Sequence, residues 1–189
     1  RRVLFRSLEP MDGGPSDEEL VERARAGDEA ALGKLVERHH PAAFRVAVSM
    51  LRDDDAAQDV VQDAFIKAFR ALPGFRGDAA FRTWILTITA NEARGAFRKR
   101  GRRKESNLDD VGPVPTDEKG LDEQVVLAQE AARARSLLEE LPEKQKLSVS
   151  LRIEEGLSFR EIGEIIGSSE GAARVNYFHG IRRLRELME

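Results

Sequence analysis

The 189-residue chain contains no cysteine, which excludes disulfides and thiolate metal sites and fits a reducing, cytoplasmic setting. Large rings are scarce. One Trp, one Tyr and nine Phe leave Leu, Ile, Val and Ala to fill any core, a set that suits packed helices better than sheets. No apolar run approaches the roughly 18–20 residues that span a bilayer, and the N-terminus lacks the continuous apolar stretch of a secretory signal. No membrane insertion is expected. The three His form no metal set, because His39 and His40 point to different sides and His179 stands alone. Asp53, Asp54 and Asp55 are better explained as a helix cap than as a cation site. There is no nucleophile–base pair, phosphate-binding glycine loop or zinc motif. Neither catalysis nor a cofactor is expected.

What the chain does have is charge in blocks. The formal total is only −3, yet residues 97–104 carry six positive charges in eight positions. Residues 105–130 reverse the sign, with eight acids against Lys119 alone, and contain Gly112-Pro113-Val114-Pro115. A basic cluster followed by an acidic, Pro- and Gly-bearing stretch marks the end of one domain and a flexible linker. The acidic stretch is either a solvated tether or a shield for the basic surface. Residues 1–10 show neither periodicity nor caps, so residues 1–15 are expected to be a disordered or extraneous leader, with Met11 the natural start. The remaining division is 16–104, linker 105–121, and 122–189.

Everything outside the linker reads as helix. Ser16 or Asp17 can cap a segment through Ala26, and a second runs from Glu29 to about His39. Pro41 then opens a third carrying Phe44, Val48 and Leu51. Acids at Asp53 to Asp55 suit the next helix N-terminus, and Ala56, Val60, Val61, Ala64, Phe65, Ala68, Phe69 and Leu72 form its core stripe. After Pro73-Gly74, a loop leads to a long helix with Phe81, Trp84, Ile85 and Ile88 buried. Past the linker, one helix is expected from Asp122 or Glu123 to Leu141 and another from about Glu143 to Glu155. No alternation is long enough for a strand. The fold class is all-α, two small helical domains joined by a flexible acidic linker.

The C-terminal run is the most specific. Ser158 and Glu161 make a capping box, Phe159, Ile162, Ile165 and Ile166 share a face, and Gly167 supplies the positive-φ stop. Ser168 or Ser169 caps the following helix. This is the outline of a helix-turn-helix, whose second helix enters the DNA major groove, or of a plain αα-hairpin. On that second helix, Val175, Phe178, Ile181 and Leu184 are expected inside. Glu170, Ala173, Arg174 and Tyr177 are expected outside, with Asn176 beside them. Arg182, Arg183 and Arg185 lie where phosphate is within reach.

Two further faces stand out. After Asp55, the residues Asp59, Gln62, Asp63 and Ile66 follow helical spacing, and an exposed Ile among acids is either a protein-docking face or a solvated one. After Phe81, the line Thr87, Asn91, Arg94 and Arg98 runs into Lys99 and Arg100. It combines an amide able to bond base edges with cations that neutralise phosphate. Phe75, Phe81 and Trp84 lie nearby, either as core or as stacking platforms for unpaired bases.

These residues together resemble a bacterial RNA polymerase sigma factor of the extracytoplasmic-function (ECF) group of the sigma-70 family, over about residues 16–189. Asp59-Val60-Val61-Gln62-Asp63-Ala64-Phe65, Phe75-Arg76-Gly77, Phe81-Arg82-Thr83-Trp84-Ile85 and Ile88-Thr89-Ala90-Asn91 resemble region 2. Leu141-Pro142, Leu151, Glu155-Gly156-Leu157-Ser158 and Glu161-Ile162 resemble region 4. The resemblance implies docking of region 2 on the clamp of the largest core-polymerase subunit through Asp59, Gln62, Asp63 and Ile66. It implies −10 melting by the loop with Phe75 and Arg76 and the helix with Trp84, Thr87, Asn91, Arg94, Arg98, Lys99 and Arg100. Region 4 would meet the flap of the second-largest subunit and read the −35 element with Ser169, Glu170, Arg174, Asn176, Tyr177, Arg182 and Arg183. An anti-sigma factor and a stress or envelope-response regulon are further implications.

Two departures stand against that pattern. Gly95 occupies a position where the family commonly has Asp, and it weakens helix there. The common Gly-Thr-Val-Lys-Ser-Arg opening of the last helix is here Gly171-Ala172-Ala173-Arg174-Val175-Asn176, so −35 preference does not carry over. The rival reading is an autonomous helix-turn-helix regulator, which explains residues 141–189 and leaves the Trp84 helix and the Asp59 face without a role.

Overall fold

The computed structural model describes residues 14–106 and 136–188, with side chains of 101–106 excepted. Among the described residues every regular element is helical. The expected leader up to residue 13, and linker residues 107–121, lie outside them. The chain divides into two compact units, one up to Ala96 and one from Phe97.

In the first unit, α1 (Asp17–Arg25), α2 (Glu29–Leu51) and α3 (Asp54–Ala71) each begin at a side-chain cap. Ser16 and Glu19 form a reciprocal capping box. Asp28 accepts from the amides of Ala30 and Ala31, and Asp53 from that of Ala56. A 3-10 turn, Leu72–Gly74, leads to the loop before α4 (Phe81–Ser106). Leu20, Leu35, Val61, Ile85 and Leu86 are fully buried, and each such side chain stabilises the unit by about 1.5–3 kcal/mol.

Three expectations are corrected here. Pro41 does not open a new helix, because α2 runs through it without a break. An interior proline costs a helix roughly 3 kcal/mol. Buried Leu35, His39, Ala42, Ala43 and Val46 on both sides of it hold the segment together. Trp84 and Ile88 are only half-buried, and the buried residues of α4 are Phe81, Thr83, Ile85, Leu86, Thr89, Ala90 and Ala93. The Thr89 hydroxyl satisfies itself by donating to the Ile85 carbonyl at 2.9 Å. Gly95 interrupts nothing, and α4 continues to Ser106, two residues into the expected linker.

In the second unit, residues 136–139 are helical. The helix expected from Asp122 or Glu123 to Leu141 stops there because Glu140 and Leu141 form a turn and a bend, and its part before residue 136 lies outside the described residues. There follow α5 (Glu143–Ile153), α6 (Phe159–Ile166) and α7 (Glu170–Met188). Ser158 and Glu161 complete the capping box, and Gly167 ends α6 in the left-handed region at φ 64°. Leu147, Leu151, Ile162, Ile165 and Ile166 make the core. The buried Lys146 ammonium is matched by Glu139 at 3.0 Å.

The face assigned to α7 from sequence is also corrected. Val175 and Phe178 are exposed, whereas Ala173 and Gly180 are buried. A Cβ on Gly180 would stand 2.7 Å from Val149 Cγ2, so α7 meets α5 through its smallest residues. Close backbone approach, rather than bulk, selects the inner face. Ile181 and Leu184 are half-buried at its edge.

Candidate functional site

The α3 face places Asp59, Gln62, Asp63 and Ile66 in solvent, with Ile66 41% exposed. Ile66 and Gln62 border a shallow groove completed by Val36 and His40 of α2 and by Phe65 and Phe69. The His40 ring lies nearly parallel to Phe44 and Phe65, at centroid distances of 6.1 and 6.5 Å. Its neighbours are pinned. Arg38 bonds Asp17 at 2.7 Å, and His39 Nε2 stands 2.8 Å from the same carboxylate. Burial pushes the Asp17 carboxyl up, but His39 and Arg38 outweigh it and leave the group below its ordinary value. Val36, His40 and Phe69 were not among the expected site residues. Their signal is the i, i+4 spacing Val36–His40–Phe44, which breaking α2 at Pro41 obscures.

On α4, Asn91 is exposed and its Oδ1 accepts from Arg94 Nη1 at 3.0 Å. Thr87 is half-buried, its hydroxyl donating to the Thr83 carbonyl. Arg98, Lys99 and Arg100 are exposed, continuing the line toward the C-terminal end of α4. Phe75 packs against Trp84 at 4.6 Å and edge-on to the buried Phe81. Both Phe75 and Trp84 keep part of their surface in solvent. Arg76 and Asp78 make an exposed pair at 3.1 Å. A residue outside the expected site holds this loop. Arg25 of α1 donates to the carbonyls of Leu72 and Phe75 while paired with Glu22 at 2.6 Å. Lys67 and Glu92 tie α3 to α4 by a further ion pair.

On α7, the Ser169 hydroxyl accepts from the Ala172 amide at 3.2 Å and caps the helix. Arg174 is bonded to Glu170 at 2.9 Å, and both are exposed. The Phe159 ring lies between two cations, with the guanidinium carbons of Arg152 and Arg174 at 5.0 and 5.3 Å from its centroid. Arg152 also donates to the Leu157 carbonyl at 2.7 Å. Tyr177 is half-buried against Phe159, and Asn176 turns its amide back to the Ala172 carbonyl. Arg182 and Arg183 are exposed. The open face of α7 therefore contains Glu170, Arg174, Val175, Phe178, His179 and Arg182. A Cβ on Gly163 would meet the Ser168 carbonyl oxygen at 2.9 Å, so only glycine lets α6 sit this close to the turn.

Among the described residues, no cluster of His and acidic side chains is arranged to hold a metal, and no helix is long and apolar enough to cross a membrane. What remains are an acidic-apolar face on α3, a basic-amide stripe along α4, and the helix-turn-helix of α6 and α7.

Comparison with known proteins matches both units. Residues 35–103 fit the model of Sigma-70 region 2, and residues 131–184 that of Sigma-70, region 4. The chain is 35% identical over 181 residues to the RNA polymerase sigma-H factor of Pseudomonas aeruginosa, covering 92% of each. It is 36% identical over 183 residues to the ECF RNA polymerase sigma-E factor of Escherichia coli K12, covering 92% of this chain and 93% of that one. Among solved structures, CnrH in complex with the cytosolic domain of CnrY aligns at a TM-score of 0.67 and 27% identity, over 91% of this chain and 96% of the other. The sigma factor RpoE in complex with the anti-sigma factor NepR, from Bartonella quintana, aligns at 0.65 and 26%, over 82% and 95%. The match to region 2 gives the first unit the role that an autonomous helix-turn-helix regulator leaves empty. The chain belongs to the sigma-70 family as an ECF sigma factor, which binds core RNA polymerase and directs promoter-specific initiation of transcription.

Proposed function

We propose that the α3 face, with Asp59, Gln62, Asp63 and Ile66, is the surface that docks on the clamp of the largest polymerase subunit. The groove beside it, lined by Val36, His40 and Phe69, extends the contact. Ile66 carries this reading, being a large apolar side chain 41% exposed among acids. Apolar area supplies contact, and the carboxylates steer a basic partner.

The stripe Thr87, Asn91, Arg94, Arg98, Lys99 and Arg100 meets the −10 element, and the Phe75–Trp84 pair offers ring faces to bases that leave the duplex. Arg25 keeps the carbonyls of Leu72 and Phe75 in place, so the loop is positioned before DNA arrives. The helix-turn-helix reads the −35 duplex, with Glu170 and Arg174 at base edges and Arg182 and Arg183 on phosphate. The Glu170–Arg174 pair is solvent-exposed and worth only about 0.3–0.5 kcal/mol, so either side chain can exchange its partner for a base. Ser169 acts through its cap. Asn176 and Tyr177 support the helix, since their side chains are engaged within the unit.

Residues 16–104 form the polymerase and −10 domain and 122–189 the −35 domain. Region 4 also contacts the flap of the second-largest subunit. The protein acts in the cytoplasm, without chemistry of its own, on a stress or envelope-response regulon and under the control of an anti-sigma factor. The sigma factor RpoE, solved with the anti-sigma factor NepR, supports that last point. The docking surface is tested by measuring core-polymerase affinity of Asp63→Arg and Ile66→Ala. Each should weaken binding without changing the unfolding midpoint, and unchanged affinity in both would remove the face from the contact.

A further inference from the structure

The open face of α7 presents two large apolar side chains that a soluble helix has no structural reason to expose. Val175 is 55% exposed and Phe178 58% exposed, at i and i+3, in the middle of the helix. They are not spare core, because the buried positions of α7 are Ala173 and Gly180, and Gly180 lies against Val149 of α5. Cations flank them, Arg174 on one side and Arg182 one turn further on, so the apolar step lies inside the surface best suited to a polyanion. In the major groove, thymine is the one base that offers an apolar group, its C5-methyl. A Val or Phe edge has no hydrogen bond to give to the other bases.

We propose that Val175 and Phe178 form an apolar reader for thymine methyl groups in the −35 element, which makes that element T-bearing at one or two positions next to the base pair met by Arg174. The inference rests on the assignment of α7 to the −35 duplex. Phe178 is braced at 5.4 Å by Tyr177 and at 6.5 Å by Phe159. Its ring therefore enters the groove with little freedom left to lose, and Val175 is stiff at χ1 for the same effect.

The test uses holoenzyme reconstituted from core polymerase and the full chain, on a promoter selected from a library randomised at the −35 element. Each −35 thymine is then replaced by deoxyuridine, which deletes the methyl and nothing else. Affinity should fall about fourfold at one or two positions, the share of a single buried methyl group. In Val175→Ala and Phe178→Leu holoenzymes that dT/dU ratio should collapse toward one at those positions, with helix content unchanged. A selected −35 element without thymine, or dT/dU ratios of one throughout wild type, overturns the methyl reader while leaving −35 reading intact. Indifference to a scrambled −35 element overturns the assignment of α7 itself. Loss of self-association or of a protein partner in Val175→Ala, with dT/dU ratios unchanged, shows that the face serves a polypeptide and overturns the proposal.

Discussion

Arg174 of α7 lies over the ring of Phe159 of α6, 5.3 Å from its centroid. The first helix of the motif thus holds the guanidinium of the second. An exposed cation–π contact contributes about 0.5–1 kcal/mol, enough to favour one orientation of a side chain that is otherwise costly to order. Phe159→Leu keeps apolar bulk and removes the π face. It should lower −35 affinity about two- to fivefold. Arg174→Ala should cost less in that background than in wild type, as measured by a double-mutant cycle on promoter binding. Strictly additive effects would separate the two residues.

The tight turn makes a second expectation. Gly163→Ala forces a Cβ to within 2.9 Å of the Ser168 carbonyl, which is backbone and has little room to move. Overpacking of this kind costs about 1–3 kcal/mol. Gly33, exposed in the second turn of α2 with nothing near its Cβ position, is the control. Gly33→Ala should stabilise by about 0.5–1 kcal/mol. Urea unfolding curves of the two variants should move in opposite directions.

Asp17 links stability to pH. Its carboxyl is held below the ordinary value of 3.8 by His39 and Arg38, against the upward push of burial. A depressed carboxylate contributes stability that is fully present above the unfolded-state pKa and is lost as pH falls through the folded one. Asp17→Asn should therefore cost about 1.5–3 kcal/mol at neutral pH, the range for hydrogen bonds to charged groups. The difference from wild type should shrink below pH 3.8. Thermal melts across pH 2 to 7, in steps of about one unit, give the comparison. A constant difference over that span would mean that the ion pair is not what Asp17 supplies.

Much of this was legible in the sequence because it is local. Ser16, Asp53 and Ser158 sit where helix starts demand an oxygen, and Gly167 where a stop demands positive φ. The α3 stripe was legible because Val60, Val61, Ala64 and Phe65 repeat at helical spacing. What failed depends on partners far along the chain. Pro41 looked like a boundary because propensity is local, while the packing that carries α2 through it is not. The inner face of α7 was misassigned because the apolar period favoured Val175 and Phe178, whereas α5 approaches too closely for any side chain at Gly180. Arg25 gave no signal at all, since its acceptors are the carbonyls of Leu72 and Phe75, 47 and 50 residues away.

Asn91→Ala is expected to separate DNA opening from polymerase binding. Asn91→Ala removes the amide that Arg94 now holds and should cost promoter opening about 1–3 kcal/mol if a base edge is lost. Core affinity should be unchanged. Permanganate footprinting of the −10 region alongside core-binding titrations would show it, and normal opening would make Asn91 a structural partner of Arg94.

Run-off transcription with purified core polymerase tests the central claim most directly, comparing wild type with Asp63→Arg. Wild type should yield a discrete transcript from a promoter carrying its selected −10 and −35 elements, and none without core enzyme. Asp63→Arg should lose the transcript while remaining folded. Tight, specific promoter binding by the chain alone, with no dependence of transcription on the Asp63 face, would contradict the account.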